Sequence, residues 1–192
     1  MTRILDIVFS FFGLLILSPV ILVVLLIGLF DTGSPLFRQE RVGVNQKPFN
    51  LLKFRSMHVN TQAVATHLVQ LSAITKWGSF LRKSKLDELP QLFNVLMGDM
   101  SFVGPRPALF NQDNLIILRK ERGVDKLKPG ITGWAQVNGR DELSISDKVA
   151  LDIEYLNQQS FWFGCGLRPN SERKKTLNSY WHCGPSIQHR IV

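Results

Sequence analysis

The sequence predicts an α+β fold that is mainly helical, with a small β-hairpin and an N-terminal membrane helix. An uncharged run of 24 residues, mostly Leu, Ile, Val and Phe, lies between Asp6 and Asp31. Two short apolar segments follow, "LFRQERVG" and "KPFNLLKFRSM", separated by turn residues. Later segments carry apolar residues at helical spacing. At 192 residues the chain can hold one domain with a modest core beside the membrane segment.

The N-terminal run is long enough to cross a membrane. As a helix it would extend roughly 36 Å, against about 30 Å of hydrocarbon. Ser18-Pro19 interrupts it, and because proline removes a backbone donor, we expect a kink or break there, with Ser18 bonding a freed carbonyl. A kinked spanning helix and a re-entrant hairpin both stay open. The weak charge bias between the flanks slightly favours the re-entrant form, and the absence of a small-residue cleavage site disfavours a signal peptide.

The next elements are a hairpin and short helices. "FRQERVG" and "KPFNLLKFRSM" form the predicted hairpin, and residues 58–75 are predicted to hold a helix with a loop. A helix is expected through "GSFLRKSKLDE". Pro90 is expected to open a short helix over residues 90–97, which Gly98 ends.

The second half alternates loops and helices. "GDMSFVGPRP" is predicted to be a turn-rich loop, and Pro107 to start a helix through "ALFNQDNLIILRKER". "KPGITGWAQVNGR" is predicted to be a glycine-punctuated loop. The clearest later helix is "SISDKVALDIEYLNQQ", where Val149, Ile153 and Leu156 share one face.

Charge and cysteine content narrow the class of protein. The formal charge is +8, and the basic residues of the body concentrate between Arg38 and Lys85. Such a patch suits lipid headgroups or a phosphorylated substrate beside a membrane segment. A nucleic-acid binder is disfavoured because aromatic residues are not interleaved with the patch. Cys165 and Cys183 give no disulfide framework, which fits a reducing cytoplasmic face, and their spacing to nearby His matches no zinc pattern.

Asp87 and Glu88 stand side by side after a strongly basic stretch and just before Pro90. Adjacent helical side chains point about 100° apart, so both face one point only if the helix breaks, and Pro90 is expected to cause that break at Leu89. The pair could simply complement the following helix N-terminus and neutralise neighbouring cations. Alternatively, one carboxylate is a nucleophile or metal ligand in a phosphate-binding site, where Mg²⁺ would screen the two anions.

The motifs together resemble a known family. "KLDELPQLFNVLMGDMSFVGPRP", with "FRQERVG", "LLKFRSM" and "PGITGWAQVNGR", is similar to the small monotopic phosphoglycosyl transferases of bacteria, the initiating sugar transferases. The similarity runs in order from about Arg3 to Phe163. After "NQQSFWF" it stops, and the tail that follows is atypical, predicted to be disordered or the product of a shifted reading frame.

The resemblance implies a reaction. A sugar-1-phosphate would pass from a UDP-sugar to undecaprenyl phosphate with release of UMP, as the first membrane step of capsule, O-antigen, exopolysaccharide or glycoprotein glycan assembly. In this family the aspartate matching Asp87 is the nucleophile that carries the phosphosugar, Mg²⁺ is bound near it, and the glutamate matching Glu88 assists metal binding or lipid-phosphate activation. The remaining matched positions, implied to bind substrate, are Lys53, Arg82, Arg106, Gln136, Asn138, Arg140 and Asp152.

The resemblance also implies an organisation. Residues 1–31 would be a re-entrant membrane helix broken at Ser18-Pro19, with residues 32–163 as a catalytic domain on the cytoplasmic face of the bacterial inner membrane. Residues 164–192 form the atypical tail. A homodimer is compatible with the sequence, and nucleic acid is not expected as a partner. The competing interpretation is an inactive or weakly active membrane-bound paralogue that serves as a binding or scaffold protein.

Overall fold

The structure, a computed structural model, describes residues 2–59, 73–139 and 142–157. This part of the chain is mainly helical and contains two small sheets. Its helices are α1 (Thr2–Thr32), α2 (Lys76–Ser84), α3 (Gln91–Met97), α4 (Asp113–Glu121), α5 (Trp134–Val137) and α6 (Ile145–Asn157). Its strands are β1 (Leu36–Val42), β2 (Pro48–Phe54), β3 (Ser101–Val103) and β4 (Gly130–Thr132). The mainly helical fold class is therefore confirmed.

Helix α1 continues through Pro19. Proline cannot donate to the carbonyl of Leu15, and the Ser18 hydroxyl donates to that oxygen instead, at 2.8 Å. The predicted role of Ser18 is thereby confirmed, and it lets the helix pass the proline. Among the described residues, α1 is the one helix whose length and composition would suit a membrane span.

One side of α1 packs on the rest of the molecule and the other exposes large apolar side chains. Val24 is 3% exposed and packs with Phe54 of β2 and Leu81 of α2. Ser10 and Asp6 are buried as well. The exposed apolar side chains of α1 include Phe9, Phe11, Phe12, Leu15, Ile16, Leu22, Val23, Leu26 and Phe30. An apolar face of this length favours contact with lipid over contact with water.

The predicted hairpin is confirmed. Strands β1 and β2 pair antiparallel, with Phe37 opposite Lys53 and Arg41 opposite Phe49. Leu51 of β2 packs with Val95 of α3 in the cluster at the centre of the domain. The hairpin thus gives Lys53 and Arg41 a rigid strand backbone.

A second sheet, which the sequence did not predict, joins the two segments expected to be loops. Strands β3 and β4 pair in parallel, with Ser101 opposite Gly130 and Val103 opposite Thr132. Both strands have only three residues and no apolar alternation. They are defined by their pairing and by close packing of glycines, and not by local propensity. After β4 the same predicted loop also forms α5, where Trp134 is 4% exposed.

Two predicted boundaries were wrong. Pro107 does not begin a helix, because the carbonyls of Pro107 and Ala108 accept from Arg41 and Val42. A turn at residues 110–111 follows, and α4 begins at Asp113. The helix break predicted at Leu89 is not there, because Leu89 has helical dihedral angles. The break lies at Lys85, between α2 and the acidic pair, where the backbone is left-handed at φ 61°. The helices predicted over 90–97 and over "SISDKVALDIEYLNQQ" are confirmed as α3 and α6.

Replacing Gly130 by Ala is expected to destabilise the domain, because a Cβ there would collide with the backbone nitrogen of Gly104. Backbone on both sides must move apart, so we expect at least the roughly 1–3 kcal/mol typical of overpacking. Thermal unfolding in detergent measures the loss. Gly13→Ala is the opposite control: its Cβ would meet only Leu92 at 3.5 Å, an ordinary contact, and no loss of stability is expected. Equal melting temperatures for the Gly130 variant and wild type would contradict this packing.

Candidate active site

Asp87 sits in a single 3-10 turn, Leu86–Glu88, that lies between α2 and α3. The left-handed Lys85 ends α2 and turns the chain, so that Asp87 points inward and is only 9% exposed. Its Oδ1 atom is buried and has no hydrogen-bond partner among the described residues. Burial raises the pKa of Asp87, while the positive charge of Lys53 acts to lower that pKa. A buried carboxylate oxygen with no protein donor is available to a ligand or to a reacting atom.

Lys53 of β2 lies beside the acidic pair. Its Nζ is 4.0 Å from Oε1 of Glu88, and both side chains are less than one-fifth exposed. Burial, followed by repulsion from Arg106, lowers the pKa of Lys53 to about 8, against the attraction of Glu88 and Asp87. Arg41 also repels Lys53, so three cations stand beside two carboxylates and leave an excess of positive charge.

An open cleft of about 240 Å³, which we call the cation cleft, contains this excess of positive charge. It is lined by Arg41, Leu51, Lys53, Gln91, Arg106, Pro107, Gly130 and Ile131. Burial lowers the pKa of Arg41 to about 10, with repulsion from Arg106 as the next cause. Three cations that repel one another across a small cleft form a site for a multivalent anion.

Arg41 was not predicted as a site residue, although it lies in the quoted segment "FRQERVG". Its guanidinium donates to Gln39 Oε1 at 2.7 and 3.1 Å and to the Pro107 carbonyl at 3.1 Å. The two-residue period of the strand could have identified Arg41. Arg41 shares the inward face of β1 with Phe37 and Gln39, whereas Arg38 and Glu40 face solvent. A cation on the buried face of a strand indicates a functional site.

The other predicted residues fall into three groups: Arg82 beside the acidic pair, Gln136 next to a residue that lines the cleft, and three residues with no described contact to the cleft. Arg82, in the last turn of α2, donates from Nε to Ser56 Oγ at 2.8 Å, and its charge acts to lower the Asp87 pKa. It therefore belongs with Asp87, Glu88, Lys53 and Arg106. Gln136 donates at 3.4 Å to the carbonyl of Ile131, a residue that lines the cleft.

Asn138, Asp152 and Arg140 are not placed in the cleft by any described contact. Asn138 bonds the Trp134 carbonyl at 2.8 Å and caps α5. Asp152 is 1% exposed and accepts two hydrogen bonds from Arg119. Arg140, and the whole of the predicted tail 164–192, lie outside the described residues. Substrate contact by these three side chains stays a prediction.

The acidic pair fits a magnesium ion better than a metal that needs an all-protein cage. Among the residues that the structure describes, no cluster of three or more His, Cys, Asp or Glu could hold a metal. Mg²⁺ commonly uses one or two carboxylates and completes its shell with water and substrate phosphates. Asp87, with its unpartnered Oδ1, and the adjacent Glu88 offer that donor set.

The lowered pKa of Lys53 predicts a pH dependence of stability. Between pH 8 and 10.5 Lys53 is protonated to a larger extent in the unfolded chain than in the folded protein. The free energy of unfolding therefore increases with rising pH. A Lys53→Met variant lacks this contribution. We therefore expect the variant to exceed wild type in stability most below pH 8 and the difference to shrink towards pH 10.5, measured by chemical unfolding without magnesium. A difference independent of pH would contradict the burial of a charged Lys53.

Comparison with known proteins assigns the chain to a family. The family model described as bacterial sugar transferase matches residues 1–167, which include the acidic pair and the cations around it. The chain belongs to this family. The family assignment predicted from the motifs is therefore confirmed, and this sugar transferase carries its cation cleft within the matched region.

Several curated relatives align with most of this sugar transferase. The protein named uncharacterized sugar transferase EpsL of Bacillus subtilis (strain 168) is 42% identical over 161 residues, 83% of this chain and 79% of that protein. The UDP-glucose:undecaprenyl-phosphate glucose-1-phosphate transferase of Escherichia coli (strain K12) is 43% identical over 168 residues, 82% of this chain and 36% of that protein. The galactosyl transferase CpsE of Streptococcus agalactiae is 38% identical, over 83% of this chain and 38% of that protein. The chain thus spans most of the first relative and little more than a third of the other two.

Proposed function

We propose that this chain transfers a sugar-1-phosphate from a UDP-sugar to undecaprenyl phosphate and releases UMP. The observation that carries the proposal is the buried Asp87 carboxylate, with an unpartnered oxygen, beside a cleft where Lys53, Arg41 and Arg106 repel one another. A diphosphate supplies the charge that this cleft lacks. The names of two relatives supply the substrate class, a UDP-sugar donor and undecaprenyl phosphate as acceptor.

The proposed reaction has two displacements at one phosphorus. A carboxylate oxygen of Asp87 attacks the β-phosphorus, which carries the sugar, and the bond from that phosphorus to the bridging oxygen breaks. UMP leaves with the bridging oxygen, and the sugar phosphate stays on Asp87 as an acyl phosphate. A phosphate oxygen of undecaprenyl phosphate then attacks the same phosphorus, which frees the carboxylate and gives the polyprenyl diphosphate sugar.

The residues around Asp87 favour each part of this reaction. Burial keeps the carboxylate poorly solvated and therefore more reactive, while Lys53 and Arg82 stabilise its ionised form. Lys53, Arg41 and Arg106 would bind the equatorial and bridging oxygens as charge develops on the leaving UMP. A magnesium ion, held by Asp87 with Glu88 nearby, would supply charge neutralisation between carboxylate and phosphate.

We also propose a re-entrant arrangement of α1 on the cytoplasmic face of the membrane, and the contacts of α1 support a shared side for its two ends. Near its start, Arg3 donates to the carbonyls of Val95 and Leu96 at the end of α3. Near its other end, Asp31 accepts from the Thr75 hydroxyl at 2.8 Å, just before α2. A helix whose two ends contact the same domain keeps both ends on that domain's side. Such an arrangement would put the cleft at the interface where a lipid phosphate meets a soluble nucleotide sugar.

The proposed function is tested by UMP release. The protein, in detergent or nanodiscs with magnesium and undecaprenyl phosphate, would be given UDP-sugars in turn, with UDP-glucose and UDP-galactose first because relatives are named for those sugars. We expect one sugar to support release that depends on the lipid phosphate for multiple turnovers. Failure of every UDP-sugar in folded protein would contradict the proposal and favour the binding or scaffold interpretation.

A further inference from the structure

Arg106 lies in a loop between two prolines. The segment Gly104 to Leu109 has no helix or strand, and the neighbours of Arg106 are Pro105 and Pro107, which lack N–H groups. Arg106 nevertheless borders two clefts, the cation cleft described above and a second one of about 380 Å³ that also contains Arg119. A cation at such a position acts on substrate only if its backbone is held from outside the loop.

At its ends the loop is held by N–H groups, since Gly104 donates to the Thr132 carbonyl and Leu109 to Oε1 of Gln112. Its middle residues are held through their carbonyl oxygens. Pro105 accepts from the Gly130 backbone at 2.9 Å, and Ala108 accepts from the Val42 backbone at 3.0 Å. Between them, the Arg106 carbonyl accepts from Nη1 of Arg119 at 2.8 Å. Arg119 is thus the described donor that holds Arg106 itself.

Arg119 is in turn fixed by Asp152. Its Nε and Nη2 donate to Oδ2 of Asp152 at 2.9 and 2.7 Å, and the side chains are 11% and 2% exposed. The guanidinium fork therefore binds a carboxylate with one edge and a backbone carbonyl with its remaining nitrogen, which an ammonium group cannot reproduce. Helix α6 supplies the carboxylate and α4 supplies the arginine.

We infer that Asp152 and Arg119 are positioning residues that hold Arg106 against the substrate phosphates, and that Asp152 itself does not contact substrate. The inference rests on the proposed function to the extent that Arg106 binds a substrate phosphate. It explains why a carboxylate in the matched segment of α6 is almost fully buried and paired with an arginine outside the cation cleft. It also assigns a role to Arg119, which the sequence motifs did not indicate.

We call the chain of contacts from Asp152 through Arg119 to Arg106 the relay. Pyrophosphate binding tests the relay without requiring turnover. The dissociation constant of magnesium-free pyrophosphate would be measured by calorimetry for wild type, Arg106→Ala, Arg119→Lys and the double variant. Loss of a charge-assisted contact predicts about 10- to 100-fold weaker binding for Arg106→Ala, and we expect about fivefold or more for Arg119→Lys. In the Arg106→Ala background, Arg119→Lys should change binding less than twofold, because the side chain that it positions is absent.

Two further variants keep the test decisive. Arg122→Lys, at an exposed position after the same helix, is the matched control and should leave binding within twofold of wild type. Asp152→Asn keeps the side-chain size and should show the same weakening and the same non-additivity if Arg119→Lys does not fold. Additive losses in the double variant would overturn the inference, since Arg119 would then contact the anion independently. Absence of pyrophosphate binding by wild type would overturn it as well.

UMP release by the same variants separates this inference from the proposed function. Wild-type turnover together with additive binding losses would leave the proposed function standing and reject the relay. Non-additive binding losses without any turnover would support the relay at an anion site and reject the transferase reaction. In an active protein, the relay predicts that Arg119→Lys raises KM for the UDP-sugar at least as much as it lowers kcat, as expected for weakened phosphate binding.

Discussion

Replacing Asp87 by Asn is expected to reduce UMP release at least about 1,000-fold while the protein stays folded. The amide has nearly the same shape but is not a nucleophile towards phosphorus, so the first displacement cannot occur. Burial raises the pKa of Asp87, which means that the fold disfavours its charge, and a neutral side chain should therefore not lower the melting temperature. Initial rates of UMP release and thermal unfolding, measured on the same preparation, check both parts.

The neighbouring glutamate gives the matched comparison. Glu88 lies in the same 3-10 turn and pairs with Lys53, but it is not the proposed nucleophile. Glu88→Gln should therefore lose activity only partly, and the aspartate variant should be the more severely affected of the two. If Asp87→Asn kept more than about a tenth of the wild-type rate, Asp87 would not be the group that carries the phosphosugar.

The second large effect is expected at Lys53. Changing it to Met should lower kcat/KM about 100-fold, because a buried cation that pairs with phosphate oxygens in the transition state is removed. The same change should raise the melting temperature at pH 7, since burial and repulsion from Arg106 make the charged lysine unfavourable in the free protein. Activity and stability would thus change in opposite directions, as is common for residues kept for function.

Lys47→Met provides the control for this prediction. Lys47 is exposed just before β2, and the substitution removes the same charge from the same strand region. We expect kcat/KM to stay within about twofold and the melting temperature to change little, as for most surface substitutions. A Lys53→Met protein with normal kcat/KM, or one that melts well below wild type, would show that Lys53 supports the fold instead of the phosphates.

The sequence predicted those parts of the fold where a local pattern agrees with the final packing. The hairpin, α3 and α6 follow directly from apolar periodicity and from Pro90 and Gly98 as boundaries. The β3–β4 pair could not be predicted in this way, because three-residue strands joined across 26 residues of chain depend on tertiary contact. The break at Lys85 was missed because a left-handed lysine has no sequence signal comparable to glycine.

The candidate site shows the same division between local and tertiary information. Asp87, Glu88, Lys53, Arg82 and Arg106 were identified from motifs. In the structure Lys53 and Arg106 line one cleft, both acids interact with Lys53, and the charge of Arg82 acts on Asp87. Arg41 was quoted within a motif but not assigned, although the strand period placed it on the inward face. Asp152 and Arg119 lie on different helices and are 33 positions apart in the sequence, so no local pattern could reveal their pairing.

The central claim is that the sugar phosphate passes through a covalent bond to Asp87. The most direct measurement is intact and peptide mass analysis of the protein after acid quench, following incubation with its UDP-sugar and magnesium but without undecaprenyl phosphate. The account predicts one added sugar phosphate on the peptide that contains Asp87, with an equal amount of UMP, and loss of the adduct when undecaprenyl phosphate is added. UMP release that requires both substrates together, with no adduct or with an adduct on another residue, would contradict the account.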